Sequence, residues 1–230
     1  MIGILKKLIT ADTVHRYISK AYHAKYPGSR QYWDHRYEQG GTSGAGSYGR
    51  LAEFKSNTIE QIIDENDIET VLEFGCGDGN QLSRTDFPSY IGLDVSPAAI
   101  DLCTEKFRND QSKSFFLYDP HSFVDNLGIF QAELSLSLDV IYHLTEDEIY
   151  QKYMEHLFSS STRYVVIYSS NTSDTYPDAD HVQHREFTNW VASNTDCWEL
   201  GDVIENKYPY DPLDPETTSW SDFYIFEKSQ

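Results

Sequence analysis

The residues Val71-Leu-Glu-Phe-Gly-Cys-Gly-Asp-Gly79 hold a short apolar run that leads directly into three glycines at alternate positions. Such a run, bounded by glycine, is typical of a buried β-strand. Glycine permits a tight turn and keeps side chains out of the way of a nucleoside that approaches the backbone. The stretch therefore predicts a strand and a ligand-binding loop, with the ligand at the carboxyl end of the strand.

A second strand pattern, Tyr90-Ile-Gly-Leu-Asp94, ends in an acidic residue. It follows the first glycine by about twenty residues, the distance at which dinucleotide-binding folds place a ribose-binding carboxylate. We therefore expect Asp94 to accept hydrogen bonds from two ribose hydroxyls.

Strand patterns alternate with helical ones over the middle of the chain. An amphipathic helix runs from Leu51 to about Asp64, Ser96 and Pro97 begin another, and Thr145-Glu-Asp-Glu148 is a capping box for a third. This alternation predicts a parallel, doubly wound α/β sheet with helices on both faces. The predicted strands are Thr70–Phe74, Tyr90–Leu93, Ser114–Tyr118, Leu134–Leu138 and Tyr164–Tyr168.

The two ends of the chain have other patterns. After a helix around Glu186 to Ala192, strands at Trp198–Glu205 and Phe223–Glu227 flank a proline-rich loop, which predicts an antiparallel edge and seven strands in all. Near the N-terminus, a helix is expected from Ala11 to about Tyr26. Residues 40–49 then include five glycines, a composition that favours a linker over a loop that approaches a ligand.

Charge and cysteine content limit the function classes. With 18 Lys plus Arg against 37 Asp plus Glu, the net charge is −19, which disfavours nucleic acid as a partner. The three cysteines have no paired spacing, so neither a zinc site nor a disulfide framework is predicted. No apolar stretch is long enough for a transmembrane segment, and we expect a cytoplasmic protein.

The glycine loop and the acidic strand end together resemble class I S-adenosylmethionine-dependent methyltransferases. In that family an acidic residue, here Glu73, precedes glycines at alternate positions, here Gly75, Gly77 and Gly79, and Asp94 matches the ribose carboxylate. The resemblance implies S-adenosyl-L-methionine as cofactor and a Rossmann-like methyltransferase fold with an antiparallel final strand. It also places three further residues beside the cofactor: Cys76, Val95 and Leu138.

A nicotinamide-dependent oxidoreductase is the main alternative, because it shares the glycines and the acidic residue. Its G-x-G-x-x-G fingerprint, counted from Gly75, needs glycine at position 80, where this chain has Asn80. Glu73 also has no role in that alternative. For Asp119, the resemblance implies a contact with the adenine amino group, and a turn or helix cap at Asp119-Pro120 is equally compatible.

Candidates for acceptor chemistry follow the fourth strand. Methyl transfer mainly requires alignment, and a base is needed only where the acceptor is a hydroxyl. Asp139 and His143 should lie beneath the transferable methyl group, and a histidine simply packed between sheet and helix is the alternative for His143. Beyond the fifth strand, we predict acceptor recognition by His181 and Arg185, with Arg185 pairing an anion, and we count His184 of the same segment among the candidate catalytic residues. Two histidines alone do not predict a metal site.

A narrower resemblance is to microbial methyltransferases associated with glycosyltransferases and surface-glycan assembly. It is carried by Gly44 to Lys55, Asp139 to Leu144, Tyr168 to Asn171 and His184 to Trp190. It implies that residues 1–49 are an N-terminal helix and a glycine-rich lid, with residues 50–230 as the catalytic domain.

The same resemblance places Arg36 or Tyr48 near the methionine end of the cofactor. It implies O-methylation of a saccharide hydroxyl or uronic-acid carboxylate, in company with glycosylation enzymes. Another small metabolite as acceptor, or a non-catalytic partner subunit, remains open. Asp139-Val-Ile-Tyr142 lacks the two prolines that amino methyltransferases for DNA carry there, which disfavours that class.

Overall fold

The computed structural model describes residues 26–174 and 180–229 of the chain. Its seven strands are β1 (Thr70–Phe74), β2 (Ser89–Asp94), β3 (Lys113–Leu117), β4 (Ala132–Leu138), β5 (Ser161–Ser169), β6 (Trp198–Ile204) and β7 (Asp222–Lys228). They form one sheet in the order β3-β2-β1-β4-β5-β7-β6. The first five strands are parallel, whereas β7 runs antiparallel to β5 and β6 antiparallel to β7. The predicted fold class is confirmed.

Five α-helices accompany the sheet within the described ranges. They are α1 (Ser29–Glu38), α2 (Gly49–Glu65), α3 (Pro97–Lys106), α4 (Asp147–Ser159) and α5 (Phe187–Asn194). Buried residues of α2 and α3 pack with one side of the strands, and those of α4 and α5 pack with the other. Neighbouring residues of β1 divide between the two cores, Val71 on the α2 side and Leu72 on the α4 side. Because both faces are covered, most residues of the central strands are buried, including the polar side chains of Glu73, Ser135 and Ser137.

The predicted start of α3 is correct and that of α4 is not. Ser96 Oγ accepts from the Ala99 N–H at 3.2 Å, with Pro97 in the first turn. By contrast, α4 begins at Asp147, and the expected capping box is absent. Thr145 donates to Glu146 instead, and Glu146 accepts from the backbone N–H and hydroxyl of Ser29. This contact with α1 determines where α4 begins.

The N-terminal prediction concerns residues that lie, apart from Tyr26, outside the described part of the chain. Helix α1, which carries the aromatic residues Tyr32, Trp33 and Tyr37, was not predicted from the sequence. Across the described ranges, 26–174 and 180–229, no helix has the length and apolar character needed to cross a membrane.

Candidate active site

A cavity of about 1210 Å³, including its open mouth, lies at the carboxyl ends of β1, β2 and β4. Parallel α/β sheets bind ligands at this edge. The cavity brings together most of the predicted site residues, namely Glu73, Gly75, Cys76, Gly77, Asp94, Val95, Asp119, Leu138, Asp139 and His143. Five other predicted residues, Arg36, Tyr48, His181, His184 and Arg185, do not line it.

The loop after β1 turns sharply around the end of β2. Gly75 and Gly77 have φ values of 89° and 57°, which only glycine adopts readily. The Gly75 and Cys76 N–H groups donate to the Leu93 carbonyl at 2.7 and 3.0 Å. The Gly77 N–H donates to Asp94 Oδ2 at 2.9 Å. The two sequence motifs are thus joined directly by hydrogen bonds.

Asp94 is a buried carboxylate at the wall of the cavity. Its other oxygen, Oδ1, accepts from the Ser96 N–H at 2.9 Å. Burial raises the pKa of Asp94 to about 6, although hydrogen bonds from Ser96, Gly77 and Val95 oppose the shift. Each oxygen keeps lone-pair capacity for a further donor. Asp94 can therefore hold the glycine loop and also accept from ligand hydroxyls.

Glu73 lies beneath the loop, nearly inaccessible to solvent. Its Oε2 accepts from the Tyr90 hydroxyl at 2.6 Å. Burial raises the pKa of Glu73 to about 7, while the Tyr90 hydrogen bond and the Lys55 charge lower it. Glu73 therefore titrates near neutral pH, unlike an exposed carboxylate.

Asp119 combines the two interpretations that its sequence allowed. Its Oδ1 accepts from the His121 N–H at 3.0 Å, and its carbonyl accepts from Ser122 and Phe123, so it does cap a turn. The same side chain lines the cavity and pairs with Arg30 at 3.3 Å. A cavity-facing role and a turn role are compatible at this position.

The glycine-rich segment, residues 40–49, is fastened to the loop after β1. Asp78 Oδ2 accepts from the Ser43 N–H at 3.0 Å and from the Tyr48 hydroxyl at 2.9 Å, while Ser43 Oγ accepts from the Asp78 N–H at 3.0 Å. Asn80 Nδ2 donates to the Ser47 carbonyl at 2.5 Å. A free linker makes no such contacts, so the expectation from composition alone is wrong.

Arg36 and Tyr48 support this segment. Arg36 Nε donates to the Thr42 carbonyl at 2.6 Å, and its guanidinium lies 5.5 Å from the Trp33 ring centroid. Tyr48 occupies the N-cap position of α2 while its hydroxyl binds Asp78. Arg36 thus contacts the segment and Tyr48 fastens it to Asp78, and neither residue is part of the cavity wall.

Asp139 is the centre of a polar network at the end of β4. Its Oδ2 accepts from Lys55 Nζ at 2.7 Å, and its Oδ1 accepts from the hydroxyls of Tyr142 and Ser221, both at 3.0 Å. Asp139 has a φ of 58°, an uncommon value for a residue with a side chain. Because these partners engage both oxygens, the geometry favours a positioning role for Asp139.

Lys55 was missed by the sequence reasoning, since it falls within an ordinary amphipathic helix. Its side chain is 1% exposed, yet it lines the cavity and lies 5.3 Å from the centre of the Tyr168 ring. A lysine among the apolar positions of α2 was the available signal. Only the tertiary contact with Asp139 explains it.

His143 lies in an aromatic cluster at the cavity. Its ring stacks on His181 with centroids 5.5 Å apart and meets Trp33 edge-on at 4.8 Å. Its Nδ1 is 2.9 Å from the His181 carbonyl, which can only accept, so Nδ1 carries the proton and Nε2 holds a lone pair. Burial lowers the pKa of His143 to about 4. The ring is therefore neutral at physiological pH.

The three residues beyond β5 have separate positions. His181 stacks between Tyr32 and His143 at the cavity edge, with centroids 4.8 and 5.5 Å away. His184 Nδ1 lies 2.6 Å from Ser170 Oγ. The His184 side chain lines a second cavity, which Tyr142, Tyr210 and Trp220 also border. Arg185 binds the carbonyls of Leu144 and Thr145 and pairs with Asp147 at 2.9 Å.

The Arg185 guanidinium also lies 4.3 Å from the Tyr150 ring centroid, so its donors already serve the start of α4. No group of three or more metal-ligating side chains occurs among the described residues.

Comparison with solved structures shows that the chain has the fold of class I S-adenosylmethionine-dependent methyltransferases. The chain is similar to the N-methyltransferase NodS from Bradyrhizobium japonicum WM9, solved with S-adenosyl-L-homocysteine, with a TM-score of 0.62 and 14% identity over 78% of this chain and 88% of that one. It is similar to the methyltransferase domain of bacterial CtHen1, with a TM-score of 0.60 and 18% identity over 76% and 97%. At these identities the likeness concerns the fold.

A third similar structure is magnesium protoporphyrin IX methyltransferase (ChlM) from Synechocystis PCC 6803, with a TM-score of 0.57 and 14% identity over 78% of this chain and 85% of that one. Among curated proteins, the chain is 24% identical to peramine synthetase ppzA of Metarhizium majus (strain ARSEF 297) over an alignment of 187 residues that covers 73% of this chain. The chain spans only 6% of the length of that relative. No family model matches the chain.

Proposed function

We propose that this chain is an S-adenosylmethionine-dependent methyltransferase. The observation that carries the proposal is that one cavity is lined by the buried Asp94 carboxylate, by the glycine loop bound to it, and by Asp139 and His143. The fold supports the same conclusion, because solved structures of this architecture include methyltransferases with S-adenosyl-L-homocysteine bound. When bound, the cofactor supplies an activated methyl group on a sulfonium centre.

The residues of the cavity fit this cofactor. Asp94 would accept from the ribose hydroxyls and Asp119 from the adenine amino group. Val95, Cys76 and Leu138 supply a largely apolar wall. Residues 40–49 would act as a lid over this site, held by Ser43, with Arg36 and Tyr48 as supports rather than direct contacts.

A nicotinamide dinucleotide fits less well. Glu73, just before the glycine loop, has no role in a dinucleotide-binding site. Asn80 occupies the position where the dinucleotide fingerprint needs its third glycine. Asn80 is also committed to the Ser47 carbonyl. The loop is therefore hydrogen-bonded to residues 43–48 at the position where the fingerprint needs glycine.

We further propose O-methylation of a small acceptor, a saccharide or glycan intermediate in particular. His143 supports a hydroxyl acceptor, since Nδ1 donates to the His181 carbonyl and Nε2 is the ring atom that can take the proton that leaves the hydroxyl. Burial lowers the pKa of His143 to about 4, which keeps the ring neutral and makes it a weaker base than an exposed histidine. The net charge of −19 argues against nucleic acid, whose phosphates such a surface repels. Association with glycosylation enzymes remains part of this proposal.

Turnover tests the proposal. Purified protein is incubated with labelled S-adenosylmethionine and a panel of sugars, uronic acids and non-sugar metabolites, and S-adenosylhomocysteine is measured. We expect turnover with hydroxyl-bearing acceptors, reduced about 100-fold or more by His143→Gln, with cofactor affinity retained. Cofactor binding without turnover on any acceptor would favour a non-catalytic partner subunit, and turnover on non-sugar metabolites alone would exclude the saccharide.

A further inference from the structure

His143 belongs to a single 3₁₀ turn, Ile141–His143, between β4 and α4. The His143 N–H donates to the Val140 carbonyl at 2.8 Å, and the Leu144 N–H donates to the Ile141 carbonyl at 3.1 Å. So short a helix makes few hydrogen bonds of its own. The direction of the His143 ring therefore depends on the groups that contact this turn from other parts of the chain.

Residues 181–185, which we call the clamp segment, lie along this turn. The Gln183 N–H donates to the Tyr142 carbonyl at 2.7 Å. His143 Nδ1 donates to the His181 carbonyl at 2.9 Å, and these two residues are 38 positions apart in sequence. The backbone of the clamp segment thus binds both the main chain of the turn and the side chain of the candidate base.

Arg185, the last residue of the clamp segment, binds the chain just beyond His143. Its Nε and Nη2 donate to the Leu144 carbonyl at 3.3 and 3.0 Å, and Nη2 also lies 3.5 Å from the Thr145 carbonyl. Its Nη1 pairs with Asp147 at 2.9 Å. A planar guanidinium holds several acceptors at fixed angles, which a lysine ammonium does not. Arg185 therefore fixes the backbone on the C-terminal side of the turn.

Ring stacking supports the same arrangement from the side of α1. Tyr32 stacks on His181 with centroids 4.8 Å apart and planes 14° apart, and His181 stacks on His143 with planes 12° apart. Trp33 meets the His143 ring edge-on at 4.8 Å. The His143 ring is thus held by stacking as well as by the hydrogen bond from Nδ1.

The hydrogen bond to the His181 carbonyl also decides which ring nitrogen of His143 is basic. In a neutral histidine, the bond made by one nitrogen sets the protonation of the other. A carbonyl can only accept, so the clamp segment favours the tautomer with the proton on Nδ1. Only this tautomer leaves Nε2 able to take a proton from an acceptor hydroxyl.

We propose that the clamp segment selects the Nδ1–H tautomer of His143, and that Arg185 is the positioning residue that keeps the segment on the turn. The inference rests on the proposed function and deepens it, since it explains how the candidate base is oriented. Arg185 acts through His143 and does not bind the acceptor, in contrast to its predicted role as the partner of a substrate anion.

Nitrogen-15 NMR of the histidine rings tests the inference directly, because the two tautomers give different Nδ1 and Nε2 shifts. The full chain is labelled at histidine and measured at pH 7.5, with and without S-adenosylhomocysteine, and His143→Gln identifies the His143 signals. Burial lowers the pKa of His143 to about 4, so the ring is neutral at this pH. We expect the Nδ1–H pattern in the wild-type protein.

Arg185→Lys keeps the positive charge and loses the fixed geometry of the guanidinium. It should shift the tautomer ratio of His143 about fivefold or more towards Nε2–H, because the hydrogen bond to His181 is weakened. Asp147→Asn is the matched control. It removes the ion pair with a side chain that is 83% exposed, leaves the bonds of Arg185 to the two carbonyls, and should keep the wild-type pattern.

A second pair of variants addresses the middle of the clamp segment. Gln183→Pro removes the N–H that binds the Tyr142 carbonyl and should shift the tautomer ratio in the same direction. Gln183→Ala retains this N–H, and because the Gln183 side chain is exposed, it should leave the ratio unchanged. Circular dichroism melting of each variant verifies folding.

Kinetics distinguish a positioning role of Arg185 from a binding role. With a hydroxyl-bearing acceptor that the protein turns over, Arg185→Lys should lower kcat about tenfold, because fewer molecules carry a correctly protonated base. The KM for the acceptor should change less than about twofold. A raised KM with unchanged kcat would mean that Arg185 binds the acceptor, which contradicts the inference.

Two NMR results would overturn the inference: the Nε2–H pattern in the wild-type protein, or the wild-type pattern in both Arg185→Lys and Gln183→Pro when these variants are folded. Calorimetric titration with S-adenosylhomocysteine is run on the same samples. Absence of cofactor binding by the wild-type protein would contradict the proposed function. The NMR measurement without cofactor still reports the tautomer of His143, so the two failures are distinguishable.

Discussion

Lys55 Nζ lies 2.7 Å from Asp139 Oδ2, and the lysine side chain is only 1% exposed. This ion pair joins the middle of α2 to the end of β4 at the wall of both cavities. A buried charge without its partner is costly, whereas the intact pair fixes a geometry. The pair therefore helps to hold the Asp139 side chain, which lies directly against Gly46 of the glycine-rich segment.

Replacing Lys55 by Met should destabilise the protein by about 3 kcal/mol, because Asp139 would keep its charge without a counter-ion. Urea denaturation measures the loss. Lys152→Met is the control, since Lys152 forms an exposed pair with Glu148 at 3.8 Å, and it should cost less than about 0.5 kcal/mol. If the two changes lower the free energy of unfolding equally, the buried pair contributes no more to stability than the exposed one.

Glu73 should make stability depend on pH near neutrality. Burial raises its pKa from 4.5 to about 7, so the folded protein binds the proton more tightly than the unfolded chain. The stabilisation from this group is complete below pH 4.5 and is lost as pH rises through about 7.

Relative to Glu73→Gln, the wild-type protein should therefore lose about 3 kcal/mol of stability between pH 5 and pH 8. Denaturation of both proteins across this range provides the measurement. A difference that stays constant with pH would mean that Glu73 does not titrate in this range.

Asp94 should make cofactor affinity depend on pH in a lower window. Burial raises the pKa of Asp94 to about 6, and only the carboxylate form accepts hydrogen bonds from two ribose hydroxyls. S-adenosylmethionine binding should be constant above pH 7 and weaken as pH falls below about 6. Asp94→Asn should bind about tenfold more weakly or worse at pH 7.5 and lose this dependence. If Asp94→Asn keeps the pH profile of the wild-type protein, Asp94 does not bind the ribose hydroxyls.

Asp78 should control the mobility of the glycine-rich segment, since its carboxylate accepts from both Ser43 and Tyr48. Asp78→Ala should speed hydrogen exchange of residues 42–48 about tenfold or more, because hydrogen bonds to a charged group are lost. Asp86→Ala, an exposed carboxylate after the loop, provides the comparison. Unchanged exchange in Asp78→Ala would mean that other contacts hold the segment.

Much of the fold could be predicted from local patterns. Hydrophobic runs and glycines located all seven strands, with ends within two residues except at the start of β5, which begins three residues before the predicted Tyr164. Ser96 with Pro97 located the start of α3. These signals are local, because strand burial and helix capping depend on nearby residues. The start of α4 could not be predicted, since Glu146 is recruited by Ser29 from a distant helix.

The candidate site also contains some residues that local sequence patterns predict and others that depend on distant contacts. The glycine loop and Asp94 were identified by spacing, and the cavity contains them. Lys55 is marked locally only as a lysine among the apolar positions of α2, and its role could not be predicted because its partner Asp139 is 84 residues away in sequence. Arg185 shows the reverse case: its residue type suggested anion binding, but its donors serve the start of α4.

Calorimetric titration of the purified protein with S-adenosylmethionine, S-adenosylhomocysteine and the nicotinamide dinucleotides tests the central claim most directly. We expect one molecule of S-adenosylmethionine or S-adenosylhomocysteine to bind per chain, and no dinucleotide to bind. Binding of a dinucleotide alone would contradict the account and indicate hydride transfer instead.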